Sequence, residues 1–446
     1  MASSTTSQKT MKKVAVAEGQ TNSHPLDMKR VATLILGGGQ GTRLFPLTEG
    51  CCKPATHVGG RFRLIDIPIS NALNSNCLQI FILTQFLSSE LHHHIHKTYQ
   101  GGTFSKSSIE ILAAEQRLSD HGWFQGTADA VRKSMPYLID LPVDYFLILS
   151  GDQLYSMNFQ DMMQTALEAN ADLVIAALAI TKEKAKQMGV LKINEDGAIT
   201  EFCEKPQDSA MLKHMRAPEF NLKRVKKPVD KKQQYLGSMG IYLFRREALL
   251  SLLASDHRDD FGKHLIPIQV QKGKTVAHLF NDYWEDIGSI GAFHQANLDM
   301  TSPTPPLNCY DEANPIYSHS LHLPPPHIHN ALVVDSIICE GAIVEAAEIK
   351  NSILGPRTVV KEGSCIQNSY IMGHDFYKHP RDEQPLQIGK NCFINHAIID
   401  KNVLIGNNVR LVNKKKLTNY SSEQICIRDG VIVVPRGSCL PDGFVL

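Results

Sequence analysis

The first apolar run, Val31–Leu36, stops abruptly at Gly37-Gly38-Gly39, which predicts a strand that runs into a glycine turn. Further runs at Leu78–Phe86, Tyr145–Leu149, Asp172–Ile180 and Met239–Phe244 are separated by segments with helical spacing, such as Ala128–Leu138 and Phe159–Ala169. Apolar runs that alternate with helices predict a buried parallel or mixed α/β sheet, with ligands at the carboxyl ends of its strands.

After Asp299 the pattern changes. Prolines in Thr301–Pro306 and Leu323–Pro326 cannot continue a helix or a central strand, so a linker is expected there. Beyond it apolar residues fall six apart: Ile353, Val359, Cys365 and Ile371, then Phe393, Ile399, Ile405 and Leu411. Glycines recur beside them at Gly341, Gly355, Gly363, Gly373, Gly389 and Gly406. That period fits neither a 3.6-residue helix nor simple strand alternation. It marks hexapeptide β-helix repeats, each short face pointing one apolar side chain inward, with an irregular β-sandwich as the alternative. The expected division is a tail over 1–29, an α/β domain over 30–300, a linker over 301–326 and a β-helix over 327–446.

Composition narrows the function. Lys and Arg number 46 against 45 Asp and Glu, so no global field draws the chain to nucleic acid or an acidic membrane. A bound polyanion must be held by a local site. The basic run Lys223–Lys232 has no interleaved aromatic residues and reads as a solvated loop. No stretch reaches the roughly 18 to 20 apolar residues that span a bilayer. Residues 1–29 are rich in Ser, Thr, Gln and Lys, lack an apolar core, and read as a disordered tail rather than a secretory signal. The ten cysteines show no CxxC spacing, which suits reduced thiols in a cytosol-like compartment; adjacent Cys51 and Cys52 leave a redox role as the alternative. His92-His93-His94 with His96 lacks a carboxylate at ligand spacing and reads as a wet helix face.

The turn Gly37-Gly38-Gly39-Gln40-Gly41-Thr42-Arg43 follows a predicted strand, where glycines let backbone N–H groups approach a phosphate chain. It lacks the spacing of a P-loop. Arg43 and Lys53 supply two fixed cations beside it, which suits a reaction in which charge grows on a leaving pyrophosphate.

The blocks Gly37–Leu47, Arg63–Ser70, Trp123–Ala130, Gly151-Asp152, Glu204-Lys205-Pro206, Ser238–Tyr242, Asp260-Phe261-Gly262 and Tyr283–Gly288, in that order and ahead of a hexapeptide tail, resemble the ADP-glucose pyrophosphorylase family. The glycine block is shared by all sugar nucleotidyltransferases; the Trp123, Glu204 and Tyr283 blocks are more specific. The resemblance implies a Rossmann-like α/β nucleotidyltransferase domain with a mixed, mostly parallel sheet, followed by a left-handed parallel β-helix. It implies glucose-1-phosphate adenylyltransferase activity, forming ADP-glucose and pyrophosphate from ATP and glucose 1-phosphate for glycogen or starch synthesis.

Carried over position by position, the resemblance gives Gly37, Gly38, Gly39, Gly41 and Thr42 the triphosphate, Arg43 and Lys53 the leaving pyrophosphate, and Gln116 with Gly126 the base. Asp152 and Asp286 would share Mg²⁺. Lys205 would grip the phosphate of glucose 1-phosphate, with Glu204, Ser238, Gly189 and Phe124 lining the sugar pocket. Lys401 and Arg436 match positions used for small-molecule allosteric effectors, and a homotetramer or a heterotetramer with a related subunit is implied. A cytoplasmic setting is expected, with a plastid as the alternative.

The chain departs from the family at Cys51-Cys52, Thr56-His57, Gln153 and Ser156, where Arg-Ala, Pro-Val, His and Arg are usual. Arg43 and Lys53, lost in non-catalytic plant subunits, are kept. Two other readings stay open at this level: a nucleotidyltransferase for UTP, dTTP or GTP, and a non-catalytic regulatory subunit.

Overall fold

In the computed structural model, which describes residues 26–100, 104, 106–115, 122–223, 225, 230–381 and 383–446, the apolar runs become strands. They are β1 (Val31–Leu36), β2 (His57–Val58), β3 (Phe62–Arg63), β4 (Gln79–Thr84), β5 (Ser108–Ala113), β6 (Tyr145–Ser150), β7 (Gln153–Tyr155), β8 (Leu173–Thr181), β9 (Gly189–Ile193), β10 (Ile199–Glu204), β11 (Gln233–Arg245), β12 (Thr275–Leu279) and β13 (Trp284–Asp286). The tail expected over 1–29 lies outside the described residues up to residue 25, and Met28 is already buried.

The main sheet runs β10-β9-β11-β6-β1-β4-β5, with β8 beside β11 and β12 beside β8. Strand β1 is parallel to β4 and β6, and β4 to β5. Strand β11 is antiparallel to β6, β8 and β9, so the sheet is mixed, as the chain pattern predicts. At 13 residues β11 spans both halves and shifts register between Ser238 and Tyr242, where Gly240 takes a φ of +70°. Two extra residues there, relative to β8, bend the strand and re-aim what it carries.

Helices α1 (Asp66–Asn74), α2 (Ser89–Tyr99), α3 (Thr127–Leu138) and α4 (Phe159–Glu168) cover the sheet. Two apolar clusters result, one holding Ile35, Ile82, Leu147 and Leu149 with α1, α2 and α4, the other Leu34, Phe81, Phe146 and Ile148 with α3. Strands apolar on both faces are thereby buried on both. In register, Leu36 lies beside Ser150, so the residues that leave β1 and β6 emerge next to each other.

The C-terminal region is a prism of parallel two- to four-residue strands in stacked coils. Val344 pairs with Val360, Ile349 with Ile366 and Leu354 with Ile371, one pair per face. The inward column runs Val344, Ile349, Leu354, Val360, Ile366 and Ile371, then Ile388, Ile394, Ile399, Ile405 and Leu411. The six-residue register therefore needs a correction at three places: Val359, Cys365 and Phe393 lie outside the inward column, and the next residues, Val360, Ile366 and Ile394, point inward. Corners built on left-handed residues such as Ala346, Asn351 and Asn368 shift the spacing between five and six. Ile353 also differs from the expectation. It joins Tyr370, Met372, Ile398 and Val433 in the core of the α/β domain, against the helix Ile290–Asp299. The rings of Phe293 and Tyr370 are 5.9 Å apart there.

The proline-rich connection is strapped to α1. Asn74 donates to the Pro315 carbonyl, the Tyr317 N–H to Ser70, and the Ser318 hydroxyl to Asp66. Asp66 is wholly buried and also accepts from Tyr99 Oη at 2.7 Å and pairs with His94 at 2.5 Å. His94 thus corrects the wet-face reading: it is buried on a carboxylate, a partner 28 residues away in sequence. All ten cysteines are unpaired. Burial pushes the Cys52 thiol up to about 11, which leaves it a poor nucleophile.

Candidate active site

The glycine turn and Asp152 leave the carboxyl ends of β1 and β6 side by side, pinned by Gly37 N–H on the Leu83 carbonyl at 2.8 Å and Gly151 N–H on the Leu36 carbonyl at 3.1 Å. Gly41 has a φ of +64°, a conformation that L side chains seldom adopt, and an added Cβ would lie 3.0 Å from both Lys53 and Thr48. That close approach seats Lys53 under the turn, 9% exposed.

The Lys53 ammonium lies 2.5 Å from Asp152 Oδ2 and 4.0 Å from Asp286 Oδ1. Asp286 arrives on β13, which pairs antiparallel with β7 so that Asp286 sits opposite Gln153. Two acids 134 positions apart in the numbering thus meet at one cation. Their titrations diverge. Burial pushes Asp152 up, but Lys53, the Ser150 hydroxyl at 2.5 Å and Arg43 outweigh it and hold this acid below the ordinary range. Burial and the negative charge of Asp152 push Asp286 up, against Lys53 and Arg43. Arg43 is exposed in the turn Thr42–Leu44; Gly288 separates its guanidinium from Asp286, since a Cβ there would be 3.4 Å from an atom of each.

Beside these groups is a cavity of about 350 Å³ lined by Gly38, Gly39, Gln85, Phe124, Gly126 and Asp152 among others. Gln85 fixes one wall: its amide accepts from the Phe124 N–H at 2.5 Å and donates to the Phe124 carbonyl at 3.3 Å. Gly126 leaves no room for a side chain, as a Cβ would lie 2.4 Å from the Asp259 carbonyl oxygen. Phe124 therefore stands with the glycine turn. Gln116 lies outside the described residues.

Gly189, Glu204, Lys205 and Ser238 gather on the other half of the sheet. Gly189 pairs with Glu204 across β9 and β10. The Glu204 carboxylate lies between Gly189 and Gly262, where added Cβ atoms would approach its Oε2 to 2.8 and 2.6 Å. Burial raises its pKa, partly offset by Lys205, whose ammonium is 3.3 Å away. Lys205, 55% exposed with a φ of +46°, directs its cation to solvent at the cleft. Ser238 is buried at the start of the β11 bulge and accepts from the Gly240 N–H at 3.2 Å.

Lys401 and Arg436 are elsewhere, at the seam between the two domains. With His57, Arg63, Ser89, Glu90, His93 and Asp375 they line a cavity of about 380 Å³. Lys401 pairs with Asp375 at 2.8 Å, and Arg436 with Glu90 of α2 at 2.5 Å.

Sequence reading gave no role to three contributors. Gln85 and Glu90 carry no motif spacing, and only the fold shows what they touch. Gln153, a departure from the family block, is buried with both ends of its amide engaged. Ser156, the neighbouring departure, is exposed. Among the described residues no cluster of three or more His, Cys, Asp or Glu side chains could hold a metal, so a cation at Asp152 and Asp286 would rest on those two carboxylates. No described helix is long and apolar enough to cross a membrane.

The nucleotidyl transferase family model matches residues 32–303, and the model of the GLGC left-handed parallel beta-helix domain matches residues 322–445. The first covers more than half of the chain and contains the glycine turn, both acids and the Glu204-Lys205 pair; the second covers the stacked coils. With the cleft at the carboxyl ends of β1 and β6, these matches make the protein a sugar-1-phosphate nucleotidyltransferase: it belongs to the nucleotidyl transferase family, in the two-domain architecture of the ADP-glucose pyrophosphorylase family.

Proposed function

We propose that the chain is a glucose-1-phosphate adenylyltransferase that converts ATP and glucose 1-phosphate into ADP-glucose and pyrophosphate, and so supplies glycogen or starch synthesis. The observation that carries this reading is the convergence of Asp152 and Asp286 on Lys53 beneath the glycine turn. Hard carboxylate oxygens gathered around a cation form a donor set that fits Mg²⁺. Asp152 and Asp286 would hold it, and when bound it would supply charge neutralisation at the α-phosphate.

In this reading the backbone N–H groups of the turn receive the triphosphate, while Arg43 and Lys53 take up the charge that develops on pyrophosphate. Lys205 holds the sugar phosphate as a point charge, and Glu204 and Ser238 accept and orient sugar hydroxyls. An oxygen of the sugar phosphate attacks the α-phosphorus in line, the bond to the β-phosphate bridging oxygen breaks, and no covalent enzyme intermediate forms. Positioning and electrostatics carry the rate. The seam cavity at Lys401 and Arg436 is the place for an anionic effector, and assembly into a tetramer completes the proposal.

Incubation of the purified chain with glucose 1-phosphate and each of ATP, UTP, dTTP and GTP, with pyrophosphate release as the signal, tests this. ATP is expected to be preferred. Preference for another triphosphate would replace the substrate assignment, and silence with all four would favour a regulatory subunit.

A further inference from the structure

Gln153 joins three segments that the catalytic reading needs in register. It follows Asp152 directly and faces Asp286 across the β7–β13 pair. Its amide nitrogen donates to the Met239 carbonyl at 2.8 Å, and its amide oxygen accepts from the Trp284 indole N–H at 3.1 Å. Met239 lies in the β11 bulge between Ser238 and the left-handed Gly240, and Trp284 is two positions before Asp286 on β13. Gln153, Met239 and Trp284 are each less than 7% exposed. A carbonyl and an indole N–H buried to that degree need partners. One amide serves both.

We propose that Gln153 is a positioning residue: it clamps β7, which begins next to Asp152, and β13, which carries Asp286, to the turn of β11 that presents Ser238 to the sugar. The proposal rests on the catalytic assignment above. Its chemical requirement is a side chain that donates at one end and accepts at the other. A primary amide does this without regard to protonation. A neutral imidazole does it in one tautomer. Glutamate cannot donate to Met239, and leucine can do neither.

The test compares Gln153→Leu with Gln153→His by steady-state kinetics and by Mn²⁺ titration of the nucleotide-free protein, read by electron paramagnetic resonance. Gln153→Leu is expected to lower kcat and raise the sugar-phosphate KM, each about tenfold or more, because misplacement on the scale of an ångström costs that much. It should also weaken Mn²⁺ binding several-fold, while the ATP KM changes little. Gln153→His should recover all three values to within about threefold, as the two hydrogen bonds return. A role confined to stability would lower the melting temperature in the leucine variant and leave the Mn²⁺ affinity and the kcat-to-KM split as in the parent.

Unaltered Mn²⁺ affinity and sugar-phosphate KM in Gln153→Leu would overturn the proposal, and so would a histidine variant as impaired as the leucine one. Should Gln153→Leu fail to fold, Trp284→Phe removes the indole donor alone; weakened Mn²⁺ binding is expected there, and parental binding would overturn the clamp. A parent protein that releases no pyrophosphate would instead sink the catalytic assignment. The Mn²⁺ arm still reads the clamp in that case.

Discussion

Two groups of acids and cations, the cleft and the seam, use the same residue types to opposite ends. At the seam no acid is left short of a cation: Asp375 has Lys401 at 2.8 Å, and Glu90 has Arg436 at 2.5 Å with Arg63 at 3.6 Å. In the cleft one buried ammonium serves two carboxylates, and they do not share it equally, since Asp152 takes the short contact and Asp286 is left 4.0 Å away with a raised pKa. One of these pairs, Arg436 with Glu90, latches the β-helix to α2 of the other domain. Crowded like charges leave a demand for a further cation, which a binding site can use. Charge count alone does not separate structure from chemistry; the pairing pattern does.

The sharpest way to break that contrast is Asp152→Asn. It removes the acid that Lys53 and Ser150 hold ionised. Turnover should fall about 10³-fold, the scale of losing one preorganised electrostatic contact at the reacting centre, with little change in melting temperature. Pyrophosphate release decides it, and a loss of only a few-fold would return Asp152 to a structural role.

A smaller effect is expected at Asp400, beneath the seam. Burial pushes this carboxyl up to about 6, against hydrogen bonding by the Lys401 N–H and the charges of Arg436 and Lys401. Because the folded value is above the unfolded value of 3.8, the contribution to stability is complete below the unfolded value and is lost as pH rises through about 6. Asp400→Asn cannot ionise. Relative to the parent it should gain on the order of 2 kcal/mol between pH 4 and pH 7, as urea titrations at the two pH values would show. A difference that stays constant or changes sign would refute the assignment.

The mildest change is Glu90→Gln, which cuts the cross-domain latch. Both side chains of the Glu90–Arg436 pair are 35% exposed, so the loss should be no more than about 1 kcal/mol, seen as a drop of a few degrees or less in melting temperature. Turnover without effectors should be unchanged. A large loss of turnover would show that the seam and the cleft are coupled.

Much of this was legible from residue order because the strands are buried on both faces and their apolar runs end at glycines, as at Leu36 and Gly37. The stacked coils were legible from period alone. Cys365 and Phe393 mark where that reading slips, since the step that follows, Ile366 to Ile371 or Ile394 to Ile399, is five residues rather than six. The two acids and Lys53 came from a family pattern, and only the β7–β13 pairing brings them together. His94 and Gln153 were beyond reach for a shared reason. Their partners, Asp66 in one case and Met239 with Trp284 in the other, are set by tertiary packing, and local polarity could not separate them from solvent-facing residues.

One feature of the prism constrains how such a chain can vary in length. The strands of one face are covered on both sides, with Leu354 and Ile371 turned inward while their neighbours Ile353 and Tyr370 meet the α/β domain. Adding or deleting one residue within such a strand would exchange the two sets and expose both to mismatched surroundings. Growth is confined to the corners. The excursion at 373–387 and the hairpin formed by Asn419–Ser421 and Cys426–Arg428 are both placed there. Relatives of this protein should therefore differ by whole excursions at the vertices, while the number of residues along each flat side stays fixed.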